Sequence, residues 1–174
     1  MAPSFGQRIG KAFLKATAFM NGIATVWTFL IMFLMTADVI GRSLFQHPIM
    51  GTAELVRISI VGIIFMHMPH TLWVGRHVRS EIILARLRAT TRETLQIFMS
   101  IVGAAVFAGI VVSSWKPMIT AWRILEYEGE GALRVPTYPI RTLIVVGSAF
   151  TATIFLYRAI EYLLKVFRAG KRAR

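Results

Sequence analysis

Residues 16–37, ATAFMNGIATVWTFLIMFLMTA, contain no charged side chain over 22 consecutive positions. A helix of about 20 apolar residues crosses the roughly 30 Å hydrocarbon core of a bilayer. Three more charge-free runs follow along the chain, at residues 58–75, 94–115 and 142–157. The run at 94–115 is long enough by itself, and the other two become long enough when their apolar flanks are added. The sequence therefore predicts four transmembrane helices.

The composition favours the same class of protein. Hydrophobic residues make up 56% of the chain and charged residues only 16%, against roughly 45–50% and about 25% in a soluble domain. A chain of 174 residues cannot build a water-excluding core large enough for this surplus. We therefore predict an all-α integral membrane protein whose residues 1–174 form a single membrane domain. The chain has no cysteine, which excludes disulfides and thiol chemistry.

Proline, glycine and the first charged residues set the expected boundaries of the spans. The third span could continue past Pro117 to residue 122, whereas the glycine- and proline-rich linker after it is expected to be irregular. Small residues four positions apart indicate helix contacts at two places, Ala105 with Gly109 and Gly147 with Thr151. The predicted elements are a short N-terminal interfacial helix at about 3–15, spans at about 18–40, 52–74, 94–115 and 140–164, and an amphipathic cytoplasmic loop at 76–93.

The net charge of +12 is distributed unevenly between the segments that join the spans. Basic residues are concentrated before the first span, between the second and third spans, and after the fourth. Cytoplasmic segments of membrane proteins carry such an excess of lysine and arginine. The pattern therefore predicts that both termini and the loop at 76–93 are cytoplasmic. The positive charge is then explained by the orientation of the chain in the membrane and by attraction to anionic lipids. We therefore expect no nucleic-acid partner.

Four charged side chains lie near the predicted outer boundary, on either side of the first helix hairpin. Asp38 and Arg42 are four residues apart, and Glu54 and Arg57 are three apart, so each pair shares a helix face. A charge buried in hydrocarbon costs at least about 2.5–3.5 kcal/mol unless it is paired. Three interpretations are open: the charges lock the hairpin, they pair with a larger membrane subunit, or they bind a coupling ion or proton.

The remaining polar residues indicate no catalytic or cofactor chemistry. His67 and His70 could suggest haem, but an axial pair normally comes from facing helices, and both histidines are on the second span. A polar contact between helices or a hydrated vestibule explains them better. The sequence contains no nucleophile–base pair, phosphate-binding glycine loop or metal-ligand spacing. We therefore expect no enzyme activity, no cofactor and no bound metal.

Several short motifs around the four spans resemble one known family. They are ADVIGR at 37–42, PIMGTAEL at 48–55, GRHVRSE at 75–81 and LRVPTYP at 133–139. In this order and spacing they resemble the small transmembrane subunit of tripartite ATP-independent periplasmic (TRAP) transporters, over about residues 20–167. Glu81 stands where the family often has aspartate, which is a slight departure.

The resemblance implies a three-part importer of organic acids in a bacterial or archaeal cytoplasmic membrane. A large permease subunit, paired with this chain as a heterodimer, would move the solute with an ion such as Na⁺, and a periplasmic binding protein would deliver it. This chain would be the scaffold and would bind no substrate itself. The outer loop with Glu126, Glu128 and Glu130 would then lie near the binding protein. The alternative is a small transporter or channel that works alone as a homo-oligomer.

Overall fold

The computed structural model describes residues 5–74, 89–128 and 134–172. Its backbone forms four long helices and one pair of two-residue strands. Each helix contains an apolar segment long enough to cross a membrane, which confirms the predicted four-span architecture. In chain order the elements are α1 (Phe5–Phe45), α2 (Thr52–Trp73), α3 (Ala89–Ile124), β1 (Tyr127–Glu128), β2 (Val135–Pro136) and α4 (Tyr138–Arg172).

The structure differs from the predicted separate interfacial helix at 3–15, because α1 is one unbroken helix of 41 residues. No proline interrupts this stretch, and an isolated glycine such as Gly10 costs a helix only about 1 kcal/mol relative to alanine. At ~1.5 Å per residue α1 is about 60 Å long, twice the thickness of the hydrocarbon core. A large part of α1 must therefore tilt in the membrane or extend beyond it.

Helices α3 and α4 extend beyond their predicted spans as well. Helix α3 continues through Pro117 to Ile124, in line with the expected extension of the third span. Helix α4 begins at Tyr138 and continues to Arg172. Of the predicted amphipathic loop at 76–93, residues 76–88 lie outside the described residues, and the rest belongs to α3.

Helices α2 and α4 form the centre of the molecule. Helix α1 packs on α2, α2 packs on α4, and α4 packs on α3. The outer helices α1 and α3 consequently expose large apolar side chains; Phe33 is 75% exposed and Val112 is 76% exposed. Apolar surface of this extent is stable only against lipid or a protein partner.

Small residues allow α2 and α4 to approach each other closely. Gly147 on α4 lies directly against the backbone of Phe65 on α2. Next to it, Ser148 and Thr151 are completely buried. The predicted contact at Gly147 and Thr151 is therefore found, as is common between membrane helices. Ala105 and Gly109 are exposed instead.

The linker between α3 and α4 contains regular structure that the sequence did not indicate. Strands β1 and β2 pair antiparallel, with Tyr127 opposite Pro136. At the base of this ladder the carbonyl of Glu126 accepts hydrogen bonds from the backbone N–H and the hydroxyl of Thr137, at 3.0 and 3.1 Å. These bonds hold the end of α3 close to the start of α4.

Candidate functional site

The turn between α1 and α2 is built around the carboxylate of Asp38. Its Oδ2 accepts a hydrogen bond from Nη2 of Arg42 at 2.9 Å, and its Oδ1 accepts one from the backbone N–H of Ile49 at 2.8 Å. The Asp38 side chain is only 9% exposed, whereas that of Arg42 is 69% exposed. Asp38 thus joins the last turns of α1 to the returning chain, and Arg42 extends outward from this junction.

Glycine at position 51 completes the same turn. Its φ of 87° lies in the left-handed region, where a side chain is unfavourable, and it directly precedes the first residue of α2. The hydroxyl of Thr52 then donates to the carbonyl of Ile49 at 2.9 Å. The PIMGT segment therefore reverses the chain direction within a few residues, beside the carboxylate of Asp38.

Glu54 and Arg57 take positions different from those of the first charged pair. Both lie on α2, where Glu54 is partly buried and Arg57 is exposed, and the ion pairs seen between described side chains do not include one between these two. Arg57 lines a cavity of about 240 Å³ between α2 and α4, together with Thr137 and Arg141. The four predicted charges therefore separate into an ion pair at the turn and two charges on α2, of which Arg57 lies beside α4.

Glu126 forms an ion pair with Arg141 that sequence spacing did not predict. Nε and Nη2 of Arg141 donate to the two carboxylate oxygens at 2.7 and 3.0 Å, which is the bidentate geometry favoured by guanidinium groups. The pair fixes the linker to the first turn of α4. Glu130 and the side chain of Glu128, the other two acids predicted in this loop, lie outside the described part of the chain.

Glu126 and Arg141 are expected to contribute to thermal stability through one shared ion pair. Both side chains are about one third exposed, so solvent screening limits the coupling energy to about 0.5–1 kcal/mol. We expect Glu126→Gln and Arg141→Gln to lower the thermal unfolding temperature slightly, and the double variant to lower it by less than their sum. Thermal unfolding of the four proteins in detergent measures this coupling, and additive effects would contradict it.

Polar contacts join α1 and α2 within the membrane-spanning segments. Nδ1 of His67 lies 2.7 Å from Oδ1 of Asn21, a hydrogen bond in the tautomer that protonates Nδ1. The indole N–H of Trp27 donates to the hydroxyl of Ser59 at 3.2 Å. His67 thus makes the polar helix contact expected from the sequence. The Nδ1 atom of His70 is buried and has no hydrogen-bond partner among the described residues.

Arg158 closes the C-terminal end of α2, a role that the sequence analysis missed. Its Nη2 donates to the carbonyl oxygens of Leu72 and Trp73, at 2.6 and 3.1 Å. The last carbonyls of a helix have no partner within the helix and carry partial negative charge, so a guanidinium stabilises them. The only signal in the sequence was the base that ends the charge-free run at 142–157.

Aromatic rings surround this contact and bring three helices together. Trp73 at the end of α2 stacks on Tyr157 of α4, with ring centroids 5.6 Å apart. Phe13 of α1 contacts both Trp73 and Phe150, at 5.5 and 5.0 Å. These contacts fix the relative positions of α1, α2 and α4 at the end of the molecule that the basic residues predict to be cytoplasmic.

A comparison with protein families identifies the chain. The family described as "Tripartite ATP-independent periplasmic transporters, DctQ component" matches residues 31–165, more than three quarters of the sequence. A search of curated proteins gives no match. The matched range covers Asp38 with its turn, all of α2 and α3, the Glu126–Arg141 pair and Arg158. The chain therefore belongs to the DctQ family, the small membrane subunit of TRAP transporters.

Proposed function

We propose that this chain is the scaffold subunit of a TRAP-type secondary transporter that imports an organic acid. In this proposal it forms a heterodimer with a large permease subunit, which binds and moves the solute. A periplasmic solute-binding protein delivers the acid, and a gradient of Na⁺ drives import. The family match over residues 31–165 is the observation that carries the proposal.

The positions of the charged side chains support a scaffold rather than a transport pathway. Solute and ion sites of secondary transporters usually lie near the membrane midplane, between repeats or broken helices. In the described membrane segments the acidic side chains lie towards the segment ends instead, at Asp38, Glu54 and Glu161. We therefore assign no solute-binding residue to this chain.

The exposed surfaces suggest where the other subunits bind. Helices α1 and α3 expose many large apolar side chains, which suits packing against a second membrane protein. Near the outer ends of α1 and α2, the charged side chains of Asp38, Arg42, Glu54 and Arg57 would add polar contacts to that interface. We place the binding protein at the acidic linker that begins at Glu126. The assembly would reside in the cytoplasmic membrane, with both termini of this chain inside.

Co-purification is the direct test of the scaffold role. When this chain is expressed with an affinity tag beside an untagged large permease subunit, we expect the two to purify as one complex. Proteoliposomes with both subunits and the binding protein should then take up an organic acid in a Na⁺-dependent way. Uptake by this chain alone would overturn the scaffold role and support the self-sufficient transporter.

Two arginine variants test the proposed interface within the same experiment. Arg57 is near the outer end of α2, whereas Arg174 is the last residue of the chain. We expect Arg57→Ala to reduce the yield of complex more than Arg174→Ala does, because Arg57 lies within a membrane-spanning helix, where a charge gains most from a partner in a second subunit. Thermal unfolding of each subunit alone separates lost assembly from lost folding. Equal yields from the two variants would contradict the assignment.

A further inference from the structure

A cleft of about 350 Å³ opens beside the C-terminal end of α2. It is lined by Trp73 from α2 and by Tyr157, Arg158, Glu161 and Tyr162 from α4. Three aromatic side chains, a cation and an acid therefore surround one cavity, which we call the inner cleft. Neither the family assignment nor the proposed scaffold role gives the inner cleft a function.

The inner cleft lies at the depth of the lipid headgroups. Tyr138, the first residue of α4, packs on Trp122 and Tyr127, with ring centroids 4.6 and 6.5 Å away. Such aromatic clusters mark a membrane–water interface. Arg158 follows Tyr138 by 20 positions, a rise of about 30 Å along the helix, which equals one hydrocarbon thickness. The cleft is therefore at the opposite interface.

Arg158 can bind an anion there without releasing α2. Both of its contacts with the backbone carbonyls of α2 are made by Nη2. No hydrogen bond from its Nη1 or Nε is seen among the described residues, and the side chain lines the cleft. A guanidinium with two free donor groups matches the oxygen atoms of a phosphate.

Glu161 restricts which phosphate group can enter. Its carboxylate repels a headgroup with net negative charge and attracts an ammonium group. A carboxylate accepts several hydrogen bonds, so it can receive an ammonium in addition to any contact it makes within the protein. The rings of Trp73 and Tyr157 offer further attraction for a cation.

We propose that the inner cleft binds the headgroup of an amine phospholipid, with the phosphate on Arg158 and the ammonium on Glu161. Phosphatidylethanolamine has this chemistry, because its ammonium group donates hydrogen bonds. Phosphatidylcholine has the same phosphate but a methylated amine that cannot donate. Phosphatidylglycerol has the phosphate without an amine. The lipid would thus connect the end of α2 to α4 at the membrane surface.

Lipid retention by the purified full chain tests this site. The protein is exchanged into mixed micelles with equal amounts of the ethanolamine, choline and glycerol phospholipids on identical acyl chains. The lipid bound per protein is then measured by native mass spectrometry. We expect phosphatidylethanolamine to be enriched roughly threefold over each of the others, the size that an interfacial ion pair supports. Equal retention of all three, or preference for phosphatidylglycerol, would overturn the proposal.

Three variants locate the bound headgroup. Glu161→Gln is expected to remove the preference for ethanolamine over choline, because it removes the charge that holds the ammonium. Arg158→Gln is expected to reduce the retention of all three lipids. Arg123→Gln is the matched control, an exposed arginine in the last turn of α3 near the opposite interface, and should change neither quantity. If Arg158→Gln does not fold, the selectivity of Glu161→Gln still decides, and unchanged selectivity would refute the assignment.

Inorganic phosphate distinguishes a lipid site from a general phosphate site. If the aromatic rings and the membrane surface contribute to binding, millimolar phosphate should neither displace the lipid nor raise the thermal unfolding temperature of lipid-free protein. Phosphatidylethanolamine at the same concentration should raise it. Equal stabilisation by both would contradict a site built for lipid. None of these measurements depends on the transport role, because they use this chain alone.

Discussion

Gly147→Leu is expected to prevent the chain from folding into a stable membrane protein. A Cβ atom added at this position would meet the carbonyl oxygen of Phe65, with its carbonyl carbon 2.9 Å and its Cβ 3.0 Å away. Two of these three atoms are backbone atoms in the middle of a helix, so they cannot move aside as a flexible side chain would. A larger side chain must therefore separate α2 from α4, and these two helices form the centre of the fold.

The smaller substitution Gly147→Ala is expected to leave a folded protein whose loss of stability can be measured. Overpacking by one methyl group typically costs about 1–3 kcal/mol, so we expect Gly147→Ala to lower the unfolding temperature in detergent by roughly 3–10 °C. Gly109→Ala is the matched control on α3, where an added Cβ has no atom within 4 Å. Alanine is the better helix former, so this variant should be as stable as the parent protein or more so. Equal stability of the two variants would contradict the close contact.

Asp38→Ala is expected to cause the second-largest loss, because one buried carboxylate holds the α1–α2 turn. The change leaves the backbone N–H of Ile49 without its acceptor and removes the ion pair with Arg42. A hydrogen bond to a charged group contributes about 1.5–3 kcal/mol, and the pair with a mostly exposed arginine adds about 0–1 kcal/mol. We therefore expect the free energy of unfolding to fall by about 1.5–4 kcal/mol.

Two further variants separate the contributions of Asp38. Asp38→Asn keeps an oxygen that can accept from Ile49 but loses the charge, so its effect should be intermediate. Arg42→Ala removes only the exposed partner and should cost less than about 1 kcal/mol. Thermal unfolding and the rate of proteolysis at residues 46–50 should both rank the variants in this order. If Arg42→Ala were the most harmful of the three, the carboxylate would not be the centre of the turn.

The sequence predicted the membrane spans well where hydropathy and helix length agree. The second span was predicted at 52–74, and α2 is found at Thr52–Trp73, because Pro48 and Gly51 end the apolar pattern where the chain reverses. Hydropathy indicates which part of the chain lies in lipid, however, and does not indicate where the helix begins or ends. Helix α1 therefore continues to Phe5, far beyond the expected start of the first span.

The contacts between charged groups were predictable only for neighbours on one helix. Asp38 and Arg42 are found together at the expected spacing of four. The spacing rule cannot find Arg158, which donates to a carbonyl 86 residues earlier, or the Glu126–Arg141 pair, which spans a turn of 15 residues. Such contacts depend on which helices are neighbours. The packing order α1–α2–α4–α3 cannot be predicted from a pattern within one helix.

The contact between Gly147 and Phe65 also limits how the two helix hairpins can move. Sliding α4 along α2 by one helical turn, about 5.4 Å, would bring Leu143 or Thr151, four positions from Gly147 on the same helix face, against a backbone that leaves no room for a Cβ atom. A displacement of one turn in either direction is therefore opposed by a steric clash. A helix pair held at one axial position gives a moving neighbour in the membrane a fixed reference.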